Sequence, residues 1–387
     1  MLRSAWIEID LDGFAHNLEC IQNHLKKVHP NICKIIPVIK GNAYGHGISQ
    51  TAKFLEQCHV NCVAVATAAE AILVQKSTSQ LDALVLGDTP EEALPQLVEY
   101  GIIQTVFSLK QAKKLSTIAV GMGKTQRVHL KINTGMNRLG FDTSEKGISE
   151  ALSVFQLPGI QIEGVFSHFA TGGDPNHKEA NKQIEKFSKI LNALSEAEIT
   201  LPYVHISNSS GILEQPALLG NGCRIATLLF GLYPNLNRNP DIGISPLMRI
   251  KARIVQIRMI DAGEGVSYGL TWRCKKKSRI GVLPLGHCDV PIRGIREGYV
   301  VVNGYRAPIV GTICMDQCMI DLTDIPAEEG DVVTLLGYGE DEAMNVYELA
   351  KCVGIAPFQV IAYLNLRLPR IYFRSGEICA VEDAQAY

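Results

Sequence analysis

Eight short apolar runs, rich in β-branched residues, alternate with amphipathic stretches over the first 235 residues of this 387-residue chain. This alternation is typical of parallel strands joined by crossover helices. Eight such strands in about 200 residues favour a closed barrel over an open sheet. The sequence therefore predicts an α/β fold with an N-terminal (β/α)8 TIM-like barrel. Its strands are expected near 34–39, 61–66, 82–87, 102–107, 127–132, 160–167, 202–206 and 222–225.

The hydrophobic periodicity of the sequence changes after Pro234. Period-two alternation predicts strands near 248–260, 279–285, 299–303, 307–313, 317–322 and 331–336. Within the first of these, the apolar face changes at Val255, which predicts a β-bulge. We therefore predict a barrel domain over residues 10–238 and a C-terminal mainly-β domain over residues 239–387. The first extended segment, about residues 1–9, is expected to pack with the second domain.

The charge balance excludes several classes of partner. The chain has 37 Lys and Arg residues against 39 Asp and Glu residues, a net charge of −2. This balance provides no field that would attract nucleic acid or an acidic membrane surface. No stretch approaches the roughly 20 apolar residues of a membrane span, and the N-terminus turns acidic where a signal peptide would turn apolar. We therefore expect a cytoplasmic protein with a small-molecule partner.

The cysteines are consistent with that location. Eleven of them, an odd number, are scattered along the chain, which favours a reducing compartment over a disulfide framework. Cys58/Cys62 and Cys314/Cys318 have C-x-x-x-C spacing, but neither pair is accompanied by a second pair or by histidines at zinc-ligand spacing. No metal site is predicted.

Polar and cationic side chains follow five of the predicted strands. Barrel enzymes place their active sites at the C-terminal ends of the strands, so these side chains are candidates for one site. They are Lys40 and Tyr44 after the first strand, Lys131 and Arg138 at the fifth, His168 after the sixth, Asn208 and Ser209 after the seventh, and Arg224 at the eighth.

Each candidate also has an ordinary structural interpretation. Lys40 either snorkels from a strand end or lies in a desolvated site, where a lowered pKa would free its amine for a Schiff base. Asn208 and Ser209 either cap a helix or help its N-terminus to hold a phosphate. His168 and Arg224 are individually typical of polar core residues or surface charges, and their shared position at strand ends favours a functional role.

Several motifs carry a resemblance to a known family. VIKGNAYGHG (38–47) resembles the pyridoxal-phosphate lysine motif of alanine racemases. The other motifs, all in the order of that family, are WIEIDLDGFAHNL (6–18), KINTGMNRLGF (131–141), EGVFSHFATG (163–172), HISNSSG (205–211), GEGVSYGLTW (263–272), GTICMDQCMIDL (311–322) and LRLPRIYFR (366–374). Because they cover almost the whole chain, the sequence is identified as a member of the pyridoxal-phosphate-dependent, fold-type III alanine racemase family.

The resemblance implies a role for each matching residue. Lys40 matches the lysine that holds pyridoxal 5'-phosphate and moves the α-proton on one face of the substrate. Tyr268 matches the acid/base on the opposite face, supplied by the other subunit of a homodimer. Arg224 matches the arginine at the pyridine nitrogen, with His168 as its hydrogen-bond partner. The remaining matches are Tyr44, Asn208, Ser209, Ala226 and Thr227 for the cofactor, Arg138, Met315 and Asp316 for the substrate, and Lys131 for a lysine that is carbamylated in many members.

The implied activity is the interconversion of L-alanine and D-alanine, which supplies D-alanine for peptidoglycan. Racemisation needs one base on each face of a planar carbanion. Lysine and tyrosine have reference pKa values near 10, so desolvation or neighbouring cations must lower both. An arginine at the pyridine nitrogen does not accept its proton, which limits electron withdrawal and disfavours transamination.

Some positions depart from the family pattern. His287 and Val290 stand where the family has a tyrosine and a glycine along the substrate access path, and Asn133 replaces an aspartate. Leu366 replaces a tyrosine that reaches the phosphate in some members. The alternatives are a serine or broad-specificity racemase of the same fold and, with less support, a non-catalytic pyridoxal-phosphate carrier or a decarboxylase. Tyr268 and the C-terminal domain argue against the last two.

Overall fold

The computed structural model of the protein describes residues 2–174, 176–215, 218–295, 297–339 and 343–383. The chain divides into two compact units. The barrel unit comprises Ala15–Gly41 and Ile48–Ser245, and the β unit comprises Met1–Phe14, Asn42–Gly47 and Pro246–Tyr387. Within the described ranges, no helix is both long enough and apolar enough to cross a membrane.

Eight parallel strands form the core of the barrel unit, which confirms the predicted fold class. With strands numbered along the chain and β1 (Ala5–Asp10) in the other unit, they are β2 (Lys34–Pro37), β3 (Cys62–Val65), β4 (Asp82–Val85), β5 (Ile103–Val106), β6 (Gln126–Lys131), β7 (Ile160–Phe166), β8 (Tyr203–Ser207) and β9 (Gly222–Ile225). The hydrogen-bonded order is β2-β9-β8-β7-β6-β5-β4-β3, and a parallel bridge from Val38 to Ala64 links the two end strands. All eight predicted strands are present. They could be predicted because a strand that is buried on both faces appears in the sequence as a continuous apolar run.

One helix precedes the first barrel strand, and the others follow the strands. They are α1 (Leu11–Val28), α2 (Lys40–Tyr44), α3 (Ile48–Gln57), α4 (Ala68–Ser77), α5 (Leu94–Tyr100), α6 (Leu109–Gly121), α7 (Glu145–Ser153), α8 (Lys178–Glu196) and α9 (Ser209–Glu214). Of these, α2 contains the point at which the chain passes from the barrel unit to the β unit.

The barrel unit has an apolar core cluster and a separate polar, aromatic cluster. The apolar cluster comes from β2–β5 and the residues beside them, and contains Ile36, Val38, Cys62, Ala64, Leu84 and Ile103. The polar cluster comes from β6–β9, and contains His129, Lys131, Phe166, His205 and Arg224. The candidate site is built on this second cluster.

A ten-stranded sheet organises the β unit. Its further strands are β10 (Met248–Arg253), β11 (Gln256–Ile260), β14 (Ser278–Leu283), β15 (Tyr299–Val302), β16 (Tyr305–Val310), β17 (Cys318–Asp321), β18 (Val332–Leu336), β19 (Arg370–Arg374) and β20 (Glu377–Glu382). The order is β11-β14-β17-β16-β15-β18-β10-β1-β19-β20. A separate ribbon pairs β12 (Gly265–Val266) with β13 (Trp272–Arg273), and the helices are α10 (Val346–Val353) and α11 (Pro357–Ala362).

The predicted bulge at Val255 is wrong. The segment 248–260 forms two strands with different neighbours: β10 pairs with β1 and β18, whereas β11 pairs with β14. Ile254 and Val255 form the link between them. The change of apolar face arises because the two strands occupy different places in the sheet.

Candidate active site

Lys40 lies just beyond β2, directly after the buried residues Val38 and Ile39. Its side chain is half-buried. Burial lowers the pKa of the Lys40 ammonium group, and the charges of Arg138 and Arg224 lower it further, although Glu70 acts in the opposite direction. A lowered pKa makes the free amine more accessible, and nucleophilic and proton-transfer chemistry need that form.

The backbone after Lys40 is left-handed. Residues 41–45 have consecutive φ angles of 64°, 53°, 54°, 50° and 84°. Asn42, Ala43 and Tyr44 among them are not glycine, and at roughly 1–2 kcal/mol per residue their conformation costs about 3–6 kcal/mol. We call residues 41–47 the lysine turn. Burial raises the pKa of Tyr44 in this turn to about 12, so its hydroxyl stays protonated and able to donate.

Arg224, at the end of β9, is almost completely buried. Its Nη2 donates to His168 Nδ1 at 2.8 Å and to Ser167 O at 2.7 Å, and its Nη1 donates to His205 Nδ1 at 2.6 Å. Burial lowers the pKa of Arg224 to about 9, so the guanidinium remains charged near neutral pH. No carboxylate among the described residues forms a salt bridge with it. The buried positive charge is held by neutral acceptors alone.

A chain of buried imidazoles extends from Arg224. His205 Nε2 lies 3.1 Å from His129 Nδ1. Because a guanidinium only donates, His205 accepts through Nδ1 and carries its hydrogen on Nε2; His129 then also accepts through Nδ1. Burial lowers the pKa of His129 to about 3 and that of His205 well below 6.5, so both rings are neutral. Phe166 stacks on His205 with ring centroids 4.9 Å apart.

His168 forms the other contact of Arg224. Burial, followed by the charge of Arg224, lowers the pKa of His168 well below 6.5. Its Nε2 lies 3.4 Å from Asn208 Nδ2. A neutral His168 accepts a hydrogen bond from Arg224 through Nδ1 without adding another positive charge.

Lys131, the last residue of β6, is buried over the Phe166 ring, with Nζ 4.7 Å from the ring centroid. Burial, then the charges of Arg224 and Arg138, lower the pKa of Lys131 well below 10.5. Arg138 itself is exposed. No hydrogen bond to Lys131 Nζ comes from the described residues. A lowered pKa increases the share of the neutral amine, which is the form reactive toward electrophiles.

Hydroxyl groups gather at the ends of β8 and β9. Asn208 caps α9, which is one of the two roles predicted for it, and its side-chain oxygen accepts from Gly211 N at 2.9 Å. Ser209 Oγ accepts from Ala226 N at 3.0 Å. Thr227 Oγ1 is buried without a hydrogen-bond partner among the described residues. Leaving a buried hydroxyl unpaired is costly, so this group is available to a ligand.

Tyr268 lies in a loop between β12 and β13 and is 70% exposed. Its carbonyl accepts from Thr312 Oγ1 at 3.0 Å, and the Ser267 hydroxyl before it bonds the Thr312 carbonyl. Ser267 has a φ of 64°, in the left-handed region. The loop is thus tied to residues 311–314 while the phenol remains in solvent.

Met315 and Asp316 occupy an exposed turn of the same unit. Arg367 Nη2 contacts Asp316 Oδ1 at 2.7 Å, and its Nε donates to Asp289 Oδ1 at 2.7 Å. Arg3 Nη1 donates to the same Asp289 oxygen at 2.6 Å. A buried carboxylate between two arginines therefore anchors this turn.

The structure also shows the surroundings of the positions that were expected to differ from the family pattern. His287 N donates to Cys314 O at 3.0 Å, next to the Met315 turn. Val290 is buried, and Leu366 is 55% exposed. Asn133 Oδ1 accepts from the backbone N–H groups of Gly135 and Asn137.

Comparison with known proteins decides the family. The family described as "Alanine racemase, N-terminal domain" matches residues 9–234, and "Alanine racemase, C-terminal domain" matches residues 247–372. The chain belongs to the alanine racemase family. "Alanine racemase 1" of Clostridium acetobutylicum is 36% identical over 386 residues, with 99% of this chain and 98% of that protein covered.

Solved alanine racemase structures match the whole fold. That of Clostridium difficile 630 has a TM-score of 0.93 at 34% identity, with both chains fully covered. A complex of the same protein with cycloserine has a TM-score of 0.90 at 33% identity, with 99% of each chain covered. The Bacillus anthracis alanine racemase with bound L-Ala-P has a TM-score of 0.89 at 29% identity, with 99% of this chain and 98% of that chain covered.

Part of the buried network of this alanine racemase family member was not predicted from its sequence. His129 is not one of the residues that the sequence patterns single out, and His205 appears only within the HISNSSG motif. The strand period contained the signal, because side chains two residues apart point to the same face. Lys131 as an inward-facing residue therefore places His129 beside it on β6. The bonds of Arg367 and Asp289 join residues 78 apart and left no such local signal.

Proposed function

We propose that this protein is an alanine racemase that interconverts L-alanine and D-alanine with pyridoxal 5'-phosphate. The observation that carries the proposal is the cluster of Lys40, Lys131, Arg138 and Arg224 in a chain matching alanine racemases over its full length. We further propose that it acts in the cytoplasm and supplies D-alanine for peptidoglycan.

The residues present fit a dianionic cofactor. Arg224 has no carboxylate partner among the described residues, and Thr227 has an unpaired buried hydroxyl near the start of a helical turn. Ser209 and the Ala226 backbone are hydrogen-bonded beside it. These groups, with Tyr44 and Asn208, would hold the phosphate and ring, and Lys40 would hold the aldehyde carbon. Pyridoxal phosphate supplies an electron sink that acidifies the α-proton of a bound amino acid.

Lys40 and Arg224 would have complementary tasks. With its pKa lowered, Lys40 takes the α-proton at Nζ on one face of the substrate and returns it in the reverse direction. Arg224 donates from a fixed position, since its Nη1 and Nη2 are held by His205, His168 and backbone carbonyls. A donor that keeps its own proton leaves a facing ring nitrogen unprotonated, which favours racemisation over transamination.

Substrate positioning is assigned to a further group. Arg138 carries an exposed guanidinium close enough to lower the pKa of both Lys40 and Lys131. The neutral form of the Lys131 amine could take up carbon dioxide and release a proton; the resulting carbamate would be an anion that holds Arg138. Met315 and Asp316 are proposed to line the substrate site of the other subunit.

The second base is proposed to come from a second copy of the chain. Tyr268 is 70% exposed and Met315 is 56% exposed, although both belong to ordered turns with fixed backbones. Exposed apolar groups of this kind suit an interface. We therefore propose a homodimer in which Tyr268 of each subunit serves the substrate held by Lys40 of the other.

Racemisation tests the main proposal. Protein reconstituted with pyridoxal phosphate should convert L-alanine to an equal mixture of enantiomers, measured with D-amino-acid oxidase. Borohydride should fix the cofactor to a peptide containing Lys40. Lys40→Ala should abolish both signals, whereas Lys53→Ala, at an exposed position in α3, should leave both intact. Label on another lysine, or no D-alanine, would reject the assignment.

Complementation tests the shared site. Lys40→Ala and Tyr268→Phe subunits are each expected to be nearly inactive. In a random mixture, half of the dimers are mixed and each has one intact site, so about a quarter of wild-type activity should return. Verified mixed dimers without activity would contradict the exchange of Tyr268.

A broader substrate range is the second candidate. His287 adjoins the Met315 turn where the family has a tyrosine, and Leu366 is exposed where some members have a tyrosine. Rates with serine, lysine and arginine beside alanine would decide between the two. A rate with serine equal to that with alanine would favour the broader activity.

A further inference from the structure

The lysine turn has a donor for each successive carbonyl from Asn42 to His46. Asn42 O accepts from Gly47 N at 2.9 Å, and Ala43 O accepts from His46 N at 3.0 Å. His46 Nδ1 lies 3.1 Å from both Ala43 O and Tyr44 O, so its hydrogen is on Nδ1 because carbonyls only accept. These bonds are internal to the turn.

The last two carbonyls are held from β19. Arg370 Nε donates to Gly45 O at 2.8 Å. The Tyr372 hydroxyl shares its single proton between two acceptors, His46 O at 3.0 Å and Glu382 Oε2 at 2.8 Å. Arg370 and Tyr372 are both buried, at 2% and 0% exposure. Since 325 residues separate Arg370 from Gly45, this support is independent of the turn's own sequence.

Close approach makes the fit specific. A Cβ on Gly47 would lie 1.8 Å from the Tyr372 hydroxyl oxygen, and a Cβ on Gly45 would lie 2.0 Å from Ile361 O. Both glycines also have φ angles above 80°, which other residues rarely adopt. The turn and β19 can therefore meet only with the backbone of the turn in this conformation.

Arg370 is a costly residue to bury at this contact. Its Nη1 donates to Leu368 O at 3.0 Å, and its Nη2 has no hydrogen-bond partner among the described residues. An apolar side chain would fill the same space without burying a charge. What the guanidinium adds is a rigid plane: Nη1 is bonded to Leu368 O, and this fixes the direction from which Nε donates to Gly45 O.

We propose that Arg370 and Tyr372 are positioning residues that keep the lysine turn left-handed and so set how Lys40 and Tyr44 are presented to the cofactor. They act through the carbonyl groups of Gly45 and His46. Strained backbone persists only where the surrounding structure over-determines it, and these two side chains provide that constraint. The proposal rests on the proposed function, because it assigns the cofactor to Lys40 and Tyr44.

Hydrogen exchange tests the backbone directly in protein stripped of cofactor. The amides of His46 and Gly47 are hydrogen-bonded within the turn and should exchange slowly in the wild type. Tyr372→Phe removes only the hydroxyl, and these two amides should then exchange about tenfold faster. Arg370→Lys keeps the charge but loses the planar donor pair, and should act in the same direction. Tyr305→Phe, an exposed tyrosine of the same unit, is the matched control.

Cofactor affinity and a rescue separate positioning from general destabilisation. Tyr372→Phe should raise the Kd for pyridoxal phosphate about tenfold. Adding Ala43→Gly removes the steric penalty of the left-handed backbone and should restore most of that affinity, whereas a protein that is merely less stable would lose more.

Two results would overturn the proposal. One is unchanged exchange in both Tyr372→Phe and Arg370→Lys, whatever the affinity, and the other is faster exchange with an unchanged affinity for pyridoxal phosphate. Wild-type protein that binds no pyridoxal phosphate would instead reject the proposed function, and the exchange experiment would still report on the turn.

Discussion

Replacing His129 with glutamine should weaken the pH dependence of the free energy of unfolding, because one fewer proton is taken up on unfolding. His129 is completely buried, and burial lowers its pKa to about 3. In the unfolded chain its pKa returns to 6.5. Because only the unfolded state takes up this proton between those values, the free energy of unfolding decreases as pH falls below 6.5. The glutamine side chain in His129→Gln retains an acceptor for the His205 N–H but has no such titration.

The size of the effect follows from that pair of pKa values. One histidine that titrates only when unfolded costs about 1.0 kcal/mol between pH 6.5 and 5.5, with a limiting slope of about 1.4 kcal/mol per pH unit. His168 and His205, with pKa values well below 6.5, add to the slope in wild type and variant alike. The difference between the two proteins therefore isolates His129.

Urea unfolding at a series of pH values measures this difference. Far-UV circular dichroism follows the barrel unit, which contains helices α3–α9. His59→Asn serves as the control, since His59 is exposed and hydrated in both states. Parallel curves for the wild type and His129→Gln would show that the folded ring takes up the proton, and the neutral imidazole chain would be refuted.

Three further outcomes are expected. Tyr268→Phe should lower kcat by about 10²–10⁴ with the Kd for pyridoxal phosphate unchanged, because only proton transfer is lost; full activity in both directions would exclude Tyr268 as a base. In ¹³C-bicarbonate, NMR should show a carbamate carbon that disappears in Lys131→Met, and a signal that persists would place it elsewhere. Gly164→Ala should destabilise the protein by about 1–3 kcal/mol in urea, because its Cβ would lie 2.7 Å from the His129 ring. No change would mean that the ring has room to move.

Local patterns predicted the barrel well. Strands buried on both faces are contiguous apolar runs, so all eight were located to within a few residues. The β unit was less predictable, because pairing partners are distant in sequence. The alternating pattern did not predict strands β19 and β20: β19 lies within the motif LRLPRIYFR (366–374), and β20 lies beyond it. The change of apolar face at Val255, in the link between β10 and β11, predicted a bulge instead. Nothing local distinguishes a bulge from a change of strand partner.

The candidate site shows the same division. Lys40, His168 and Arg224 lie at or just beyond the ends of strands, so the predicted fold class was enough to group them as candidates. The structure connects them by charge and hydrogen bonds. The support beneath them depends on tertiary contacts. Arg370 and Tyr372 lie in a recognised motif, but their contact with the lysine turn depends on the backbone conformation of that turn, which no residue pattern specified.

The divided β unit has a consequence for biosynthesis. Residues 42–47 leave the ribosome long before their partners Arg370 and Tyr372, because 325 residues separate Gly45 from Arg370. Domains fold as they emerge, so the eight barrel strands are complete while the lysine turn still lacks its partners. A nascent or truncated chain is thus expected to contain a folded barrel with an unfinished cofactor site. Capture of the proposed cofactor would then have to wait until strand β19 has been made.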